Sequence, residues 1–242
     1  MTIALTEDAA ARVRDATGLT ERNIAAWDAL YAQSPRWNRY PCEELSGFVG
    51  RVFPDSTRSS HLRALEIGCG PGTNLWFMAR EGFDICGIDG SATAVKAARH
   101  RLASEGIAEQ ADLRVGNFSV LPWPDRSFDA VIDVQSISHN TMSVIEIAMA
   151  EVHRVLKPGG WFFGRMFGDA TTGIASGDLV EDRTTRGAQF GPLAGCGIVH
   201  GFSAPELGRL LSDFASVRID WVHRRTGPGF DLFEWIVHAQ RP

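Results

Sequence analysis

Residues 63–73 read Arg63-Ala-Leu-Glu-Ile-Gly-Cys-Gly-Pro-Gly-Thr73. A short apolar run ends in three glycines, and a helical pattern follows from Thr73 to about Glu81. Strand, glycine loop and helix in that order open a βαβ unit. Glycine is needed where the chain turns with positive φ, or where a ligand approaches too closely for a Cβ. In an open α/β sheet the ligand crevice lies beyond the carboxyl ends of the strands at a topological switch point, which is where such a loop stands.

Outward from the loop the alternation continues. Asp84 to Ile88 is a second apolar run ending at Asp89, and a helical face follows from Ala92 to about Glu105. Leu113 to Val115 and Phe128 to Val134 are the third and fourth strands, the latter barely alternating, as in a strand buried on both faces. A helix from about Met142 to Val155 is stopped by Lys157-Pro-Gly-Gly160, and Trp161 to Met166 is the fifth strand. A Gly/Thr-rich stretch, Gly168 to Gly201, precedes a helix near Ala204 to Phe214 and two β-rich runs, Val217 to Val222 and Leu232 to Ala239. The turn joining those runs suits an antiparallel hairpin. The fold class is therefore α/β, with a parallel sheet covered by helices on both faces.

Composition sets the bounds. With 242 residues, 44% hydrophobic and 22% charged, the chain reads as one globular domain with a sizeable core. A net charge of −5 disfavours nucleic acid, because binding to phosphates calls for a basic face. Apolar runs are strand-sized, well short of the roughly 20 residues that span a bilayer, so no membrane partner is expected. The N-terminal MTIALTEDAAARVRD lacks the apolar core of a signal peptide, and the four cysteines form no CxxC pair, so the expected location is cytoplasmic. The histidines show no metal-ligand spacing, and His61, His100, His153, His223 and His238 read as surface residues.

Asp89 stands about 20 residues beyond the glycine loop, where a carboxylate can accept both hydroxyls of an adenosine ribose. Nicotinamide enzymes share this device, but their third glycine is replaced here by Thr73. Glu66, two residues before the loop, suits a ligand bearing an amino-acid group instead. Leu65 to Thr73, Asp89, Leu121-Pro-Trp-Pro-Asp-Arg-Ser-Phe-Asp-Ala-Val131 and Glu151-Val-His-Arg-Val-Leu-Lys-Pro-Gly-Gly160 follow one another in a recognisable order. Together they resemble a class I S-adenosylmethionine-dependent methyltransferase of the small-molecule, methyltransferase-11-like type.

The resemblance implies a Rossmann-like doubly wound seven-stranded sheet in the order 3-2-1-4-5-7-6, with strand 7 antiparallel. It also implies S-adenosylmethionine as cofactor. Gly68, Cys69 and Gly70 would line the methionine moiety, with Glu66 at its amino group and Arg39 or Tyr40 at its carboxylate. Asp89 would hold the ribose hydroxyls. Asn117, where the family often has Asp, would accept from the adenine amino group, and Phe118 with Gly90 or Ser91 would flank the ring. Gln135 would touch the cofactor through its backbone. The implied organisation is an N-terminal helical lid (1–60), a cofactor-binding core (61–167), an acceptor loop (168–202), and a closing helix with hairpin (203–242).

Methyl transfer is an in-line displacement that depends on alignment and exclusion of water. A base matters when the acceptor is an alcohol, a phenol or a protonated amine. His139, in Gln135-Ser-Ile-Ser-His139-Asn140, is the candidate, its alternative being a cap on the following helix or a residue packed under the loop. Trp27, Tyr31 and Trp37 of an aromatic N-terminal segment, with Asn140 and His200, are the expected acceptor contacts. The long, Gly-rich stretch from Thr171 to His200 reads as a mobile loop rather than a packed element. The acceptor is expected to be a small or sugar-like molecule. The alternatives are a nicotinamide-dependent oxidoreductase and a non-catalytic module that binds S-adenosylmethionine.

Overall fold

The computed structural model describes residues 7–33, 38–54, 61–107, 109 and 111–242, and for the first helix it describes side chains from residue 18 onward. Trp37 lies outside the described residues. Two helices, α1 (Glu7–Gln33) and α2 (Glu43–Val52), precede the alternating core. The core comprises β1 (Arg63–Ile67), α3 (Thr73–Arg80), β2 (Asp84–Asp89), α4 (Ala92–Ser104), β3 (Ala111–Val115), β4 (Phe128–Val134), α5 (Met142–Val155) and β5 (Leu156–Phe167). Three short strands follow, β6 (Asp178–Glu181), β7 (Thr184–Arg186) and β8 (Ile198–His200). The chain closes with α6 (Ala204–Leu210), β9 (Ala215–Gly227) and β10 (Phe230–Gln240).

The main sheet has seven strands in the order β3-β2-β1-β4-β5-β10-β9. The first five are parallel, and β10 lies antiparallel between β5 and β9. This is the expected order, with the second strand of the closing hairpin inserted next to β5. Alternate residues of each strand enter two cores. Leu65, Ile67, Val131 and Phe162 pack with Ile145, Met149 and Val152 of α5 and Leu207 of α6. Ala64, Ile85, Ile132 and Phe163 pack with Phe48 of α2, Leu75 and Met78 of α3, and Val95 and Ala98 of α4. Burial on both faces removes the polar alternation of an exposed sheet. His238 belongs to this second core, between Phe48 and Phe163 with ring centroids 5.0 and 5.7 Å away, which corrects its reading as a surface residue.

Helix starts follow local chemistry. The Ser91 hydroxyl accepts the Ala94 N–H at 3.0 Å and caps α4. Gly72 begins α3 at φ 78°, and a Cβ there would lie 3.1 Å from the Ala98 side chain. Gly72 thus lets the start of α3 pack closely on α4. Lys157 to Gly160 lie inside β5 rather than between helix and strand: α5 has ended at Val155, and the pairing slips from Phe128↔Leu156 to Ala130↔Trp161 across the bulge.

The stretch read as a mobile loop is a folded unit. β6, β7 and β8 form a separate antiparallel sheet. Ile174, Leu193 and Val199 pack with Phe167 and Leu232 at the carboxyl end of β5. Its glycines at 173, 187, 191, 195 and 197 all have positive φ, so they make the turns between short strands.

Candidate active site

A cavity of about 540 Å³ opens over the carboxyl ends of β1, β2 and β4, roofed by α1. From β1 and its loop come Glu66, Gly68 and Cys69; from β2, Asp89 and Gly90; from the β3 end, Asn117 and Phe118; and from β4, Gln135, His139 and Asn140. Ser91, with Trp27 and Tyr31 of α1 and with Tyr40, completes the group of expected residues on the wall. Gly70 lies behind it: its N–H donates to Asp89 Oδ2 at 2.8 Å, and a Cβ there would be 3.1 Å from the Tyr31 hydroxyl.

His200 is not on the wall, which corrects its expected role. It is fully buried in the small sheet, its Nδ1 2.7 Å from the Thr184 hydroxyl and its Nε2 3.3 Å from Glu206. Asn117 holds the Ser119 N–H on Oδ1 at 2.9 Å, so one lone pair of the expected adenine acceptor is engaged locally. Tyr40 is largely exposed, with its ring 6.0 Å from Trp76. Arg39 stacks its guanidinium 5.7 Å from the Tyr40 ring.

Three carboxylates crowd this end of the sheet. Glu66 is buried on the α3 face, where Asn74 donates to its Oε1 at 2.6 Å while Oε2 has no hydrogen-bond partner among the described residues. Burial, with the charges of Asp133 and Asp89, pushes its carboxyl up to about 8. Asp133 accepts the N–H groups of Ser136 and Ile137 on Oδ1 and so shapes the turn that carries His139. Burial raises it to about 7. Asp89 accepts one N–H on each oxygen, from Gly70 and from Ser91, both at 2.8 Å, and burial raises it as well.

His139 sits in a 3-10 turn, Ile137–His139. Its Nδ1 is 2.9 Å from the Ile198 carbonyl. A carbonyl only accepts, so Nδ1 carries the hydrogen and Nε2 keeps its lone pair. Trp27 packs edge-on at 4.8 Å and Phe167 at 5.5 Å. Burial lowers the imidazole to about 4, so it is neutral at pH 7.

Sequence reasoning missed the side chains that seat α1. Asn23 donates to the His139 carbonyl at 2.7 Å and accepts from Ile198 N–H at 3.0 Å. Asp28 accepts from the Ser91 hydroxyl and from Thr93 N–H at 3.0 Å, at the start of α4. Ile24 lies against Gly90, where a Cβ would be 2.7 Å from it. The signal was available: Thr20, Asn23, Trp27 and Tyr31 recur at three- and four-residue steps, one stripe of a helix. Arg165 and Arg224, also on the wall, carried no motif.

Comparison with known proteins agrees with this architecture. Residues 64–160 match the model of a family described as a methyltransferase domain. The sterol 24-C-methyltransferase of Yarrowia lipolytica is 29% identical over 172 residues, covering 64% of this chain and 43% of that protein. The ubiquinone biosynthesis O-methyltransferase of a Chelativorans species is 32% identical over 134 residues, 55% of this chain and 51% of that one. The aligned part thus spans about half the length of these curated relatives. A crystal structure of a SAM-dependent methyltransferase from Methanosarcina mazei superposes with a TM-score of 0.61 at 26% identity, covering 75% of this chain and 92% of that one.

Proposed function

We propose that this chain, whose core is that of a class I S-adenosylmethionine-dependent methyltransferase, transfers the cofactor's methyl group to a small-molecule acceptor held against His139. The fit of the wall to the cofactor supports the reading. The unpartnered Glu66 Oε2 suits an ammonium, and each Asp89 oxygen keeps a lone pair for one hydroxyl of a ribose. Gly68, at φ 64°, keeps the loop beneath the cavity free of side chain, and a Cβ there would strike Ser136 Oγ at 2.1 Å. Phe118 offers an apolar face beside Asn117 for a purine. When bound, S-adenosylmethionine supplies an electrophilic methyl group on a sulfonium.

The observation that carries the proposal is the neutral His139 on the wall of the same cavity, its tautomer set by the Ile198 carbonyl. Nε2 accepts a hydrogen bond from an O–H or N–H and so orients the nucleophilic lone pair. A group lowered to about 4 is a weak base, yet it suffices here. An acceptor oxygen that is bonding to carbon makes its proton strongly acidic, and Nε2 takes that proton late in the step. The α1 roof, with Trp27 and Tyr31, excludes water.

The test has two parts. S-adenosylhomocysteine should bind and raise Tm, by an amount corresponding to about 2.7 kcal/mol at one hundred times its Kd. Labelled S-adenosylmethionine with a metabolite panel should then yield a methylated product. Stabilisation by NADH alone would favour an oxidoreductase, and binding without transfer to any acceptor would favour the non-catalytic module.

A further inference from the structure

The cavity is polarised. Glu66 and Asp89 stand at the β1–β2 end, while Arg165 of β5 and Arg224 of β9 line the other. Both guanidinium groups converge on Glu234 of β10, which is fully buried. Arg165 donates from Nε at 2.9 Å and Nη2 at 2.6 Å, Arg224 donates from Nη2 at 2.6 Å, and the Gln135 side-chain amide donates to Oε1. Four donors saturate this carboxylate. Glu44 of α2 lies 3.5 Å from Arg165 Nη1. Neither Glu234 nor Glu44 is on the cavity wall, so the cavity faces cationic nitrogens whose counter-charges lie behind them. Arg224, with its side chain 48% exposed, spends a single N–H on Glu234. Among the described residues its other donors meet no further acceptor.

Position separates this cationic end from the cofactor end. In the sheet order, β9 is four strands from β1, roughly 19 Å at ordinary strand spacing. Arg165 and Phe167 share one face of β5, about 7 Å apart along the strand. Phe167 in turn touches the His139 ring. A ligand that reaches His139 Nε2 is therefore within a small molecule's length of the arginine pair.

We infer that Arg224, held in place by Glu234 and Arg165, binds a carboxylate of the methyl acceptor. The inference rests on the methyltransferase reading and names its substrate class: a nucleophile and a carboxylate on one small molecule. The planar fork of a guanidinium matches a carboxylate with two parallel hydrogen bonds. The other possible source of that carboxylate is the cofactor's own methionine moiety, and the experiment separates the two.

Hydroxy- and amino-carboxylic acids, each paired with its own carboxamide, are assayed with labelled S-adenosylmethionine. The wild type should use an acid with kcat/KM about tenfold or more above its amide. Arg224→Gln should bring that ratio close to one, with S-adenosylhomocysteine binding retained, and Arg224→Lys should recover part of the preference. Circular dichroism melts verify that both variants fold. If no pair is turned over, calorimetry on protein saturated with S-adenosylhomocysteine compares benzoate with benzamide, and benzoate should bind more tightly. Equal use of acid and amide, or equal binding of benzoate and benzamide, overturns the subsite. Loss of S-adenosylhomocysteine affinity by more than about tenfold in Arg224→Gln also overturns it and assigns the guanidinium to the cofactor. Failure of the wild type to bind S-adenosylhomocysteine would instead remove the methyltransferase reading itself.

Discussion

The side chain of Asn23 on α1 donates to the backbone carbonyl of His139 at 2.7 Å, so the roof of the cavity is bonded to the turn that carries the candidate base. The same amide accepts from Ile198 N–H, whose own carbonyl orients the imidazole. One residue therefore joins the N-terminal helix, the β4 turn and the small sheet.

Asn23→Ala leaves two buried backbone groups without their partner. The expected cost is about 1–3 kcal/mol, read as a lower Tm. Because α1 also roofs the cavity, S-adenosylhomocysteine should bind about tenfold more weakly by calorimetry. Unchanged affinity would show that the roof does not depend on this bond.

Gly197→Ala tests the same junction from the other side. Gly197 has φ 73°, and a Cβ there would lie 2.3 Å from Asn23 Oδ1. Gly187, at φ 67°, has open space around its Cβ position. Gly187→Ala should cost only its backbone strain, about 1 kcal/mol. Gly197→Ala should lower Tm clearly further, and chemical denaturation of the two variants side by side checks the difference.

His139→Ala should reduce kcat about a hundredfold or more for an O–H acceptor. In the wild type, with cofactor and acceptor saturating, the His139 contribution to kcat should be lost as pH falls through about 4, because that is where the buried imidazole protonates. A midpoint near the ordinary histidine value would contradict this assignment. Stability follows the same sign. Between about 6.5 and about 4 the unfolded chain takes up a proton that the native imidazole refuses, so the native state weakens as pH falls through that window. His139→Phe should remove this component of a Tm-versus-pH series.

Glu66, pushed up to about 8, is largely protonated at pH 7 before ligand binds. An ammonium beside Oε2 favours the carboxylate, so cofactor binding at pH 7 should release a proton. Calorimetry in buffers of different ionisation enthalpy measures that release. It should be absent in Glu66→Gln, which should also bind S-adenosylhomocysteine more weakly.

Much of the fold was legible because strand and helix periods are local properties of the chain. β1 and β4 begin and end where their apolar runs do, and α5 covers the stretch whose buried residues recur at helical spacing. The glycine loop and Asp89 were legible for a related reason: backbone turns and a strand-end carboxylate depend on residues close in sequence. The stretch from 168 to 202 was misread because glycine signals both flexibility and tight turning, and only packing of Ile174, Leu193 and Val199 on Phe167 separates the two. His139 and His200 looked alike as histidines at the ends of segments. One lies on the cavity wall and the other is buried against Thr184, a difference that arises from pairings across the small sheet.

The sequence by itself determined the alternation of elements and the glycine loop with Glu66 and Asp89, and the resemblance its motifs carry implied the seven-stranded arrangement. Tertiary structure alone decided the roof and the arginine-lined end of the cavity. Asn23 and His139 are 116 residues apart, and Arg165 and Glu234 are 69 apart. No periodicity or spacing encodes such pairs. They exist because the sheet places β5, β10 and β9 side by side, and because α1 lies across the strand ends, where buried donors and acceptors must find partners from whatever segment folding brings to them.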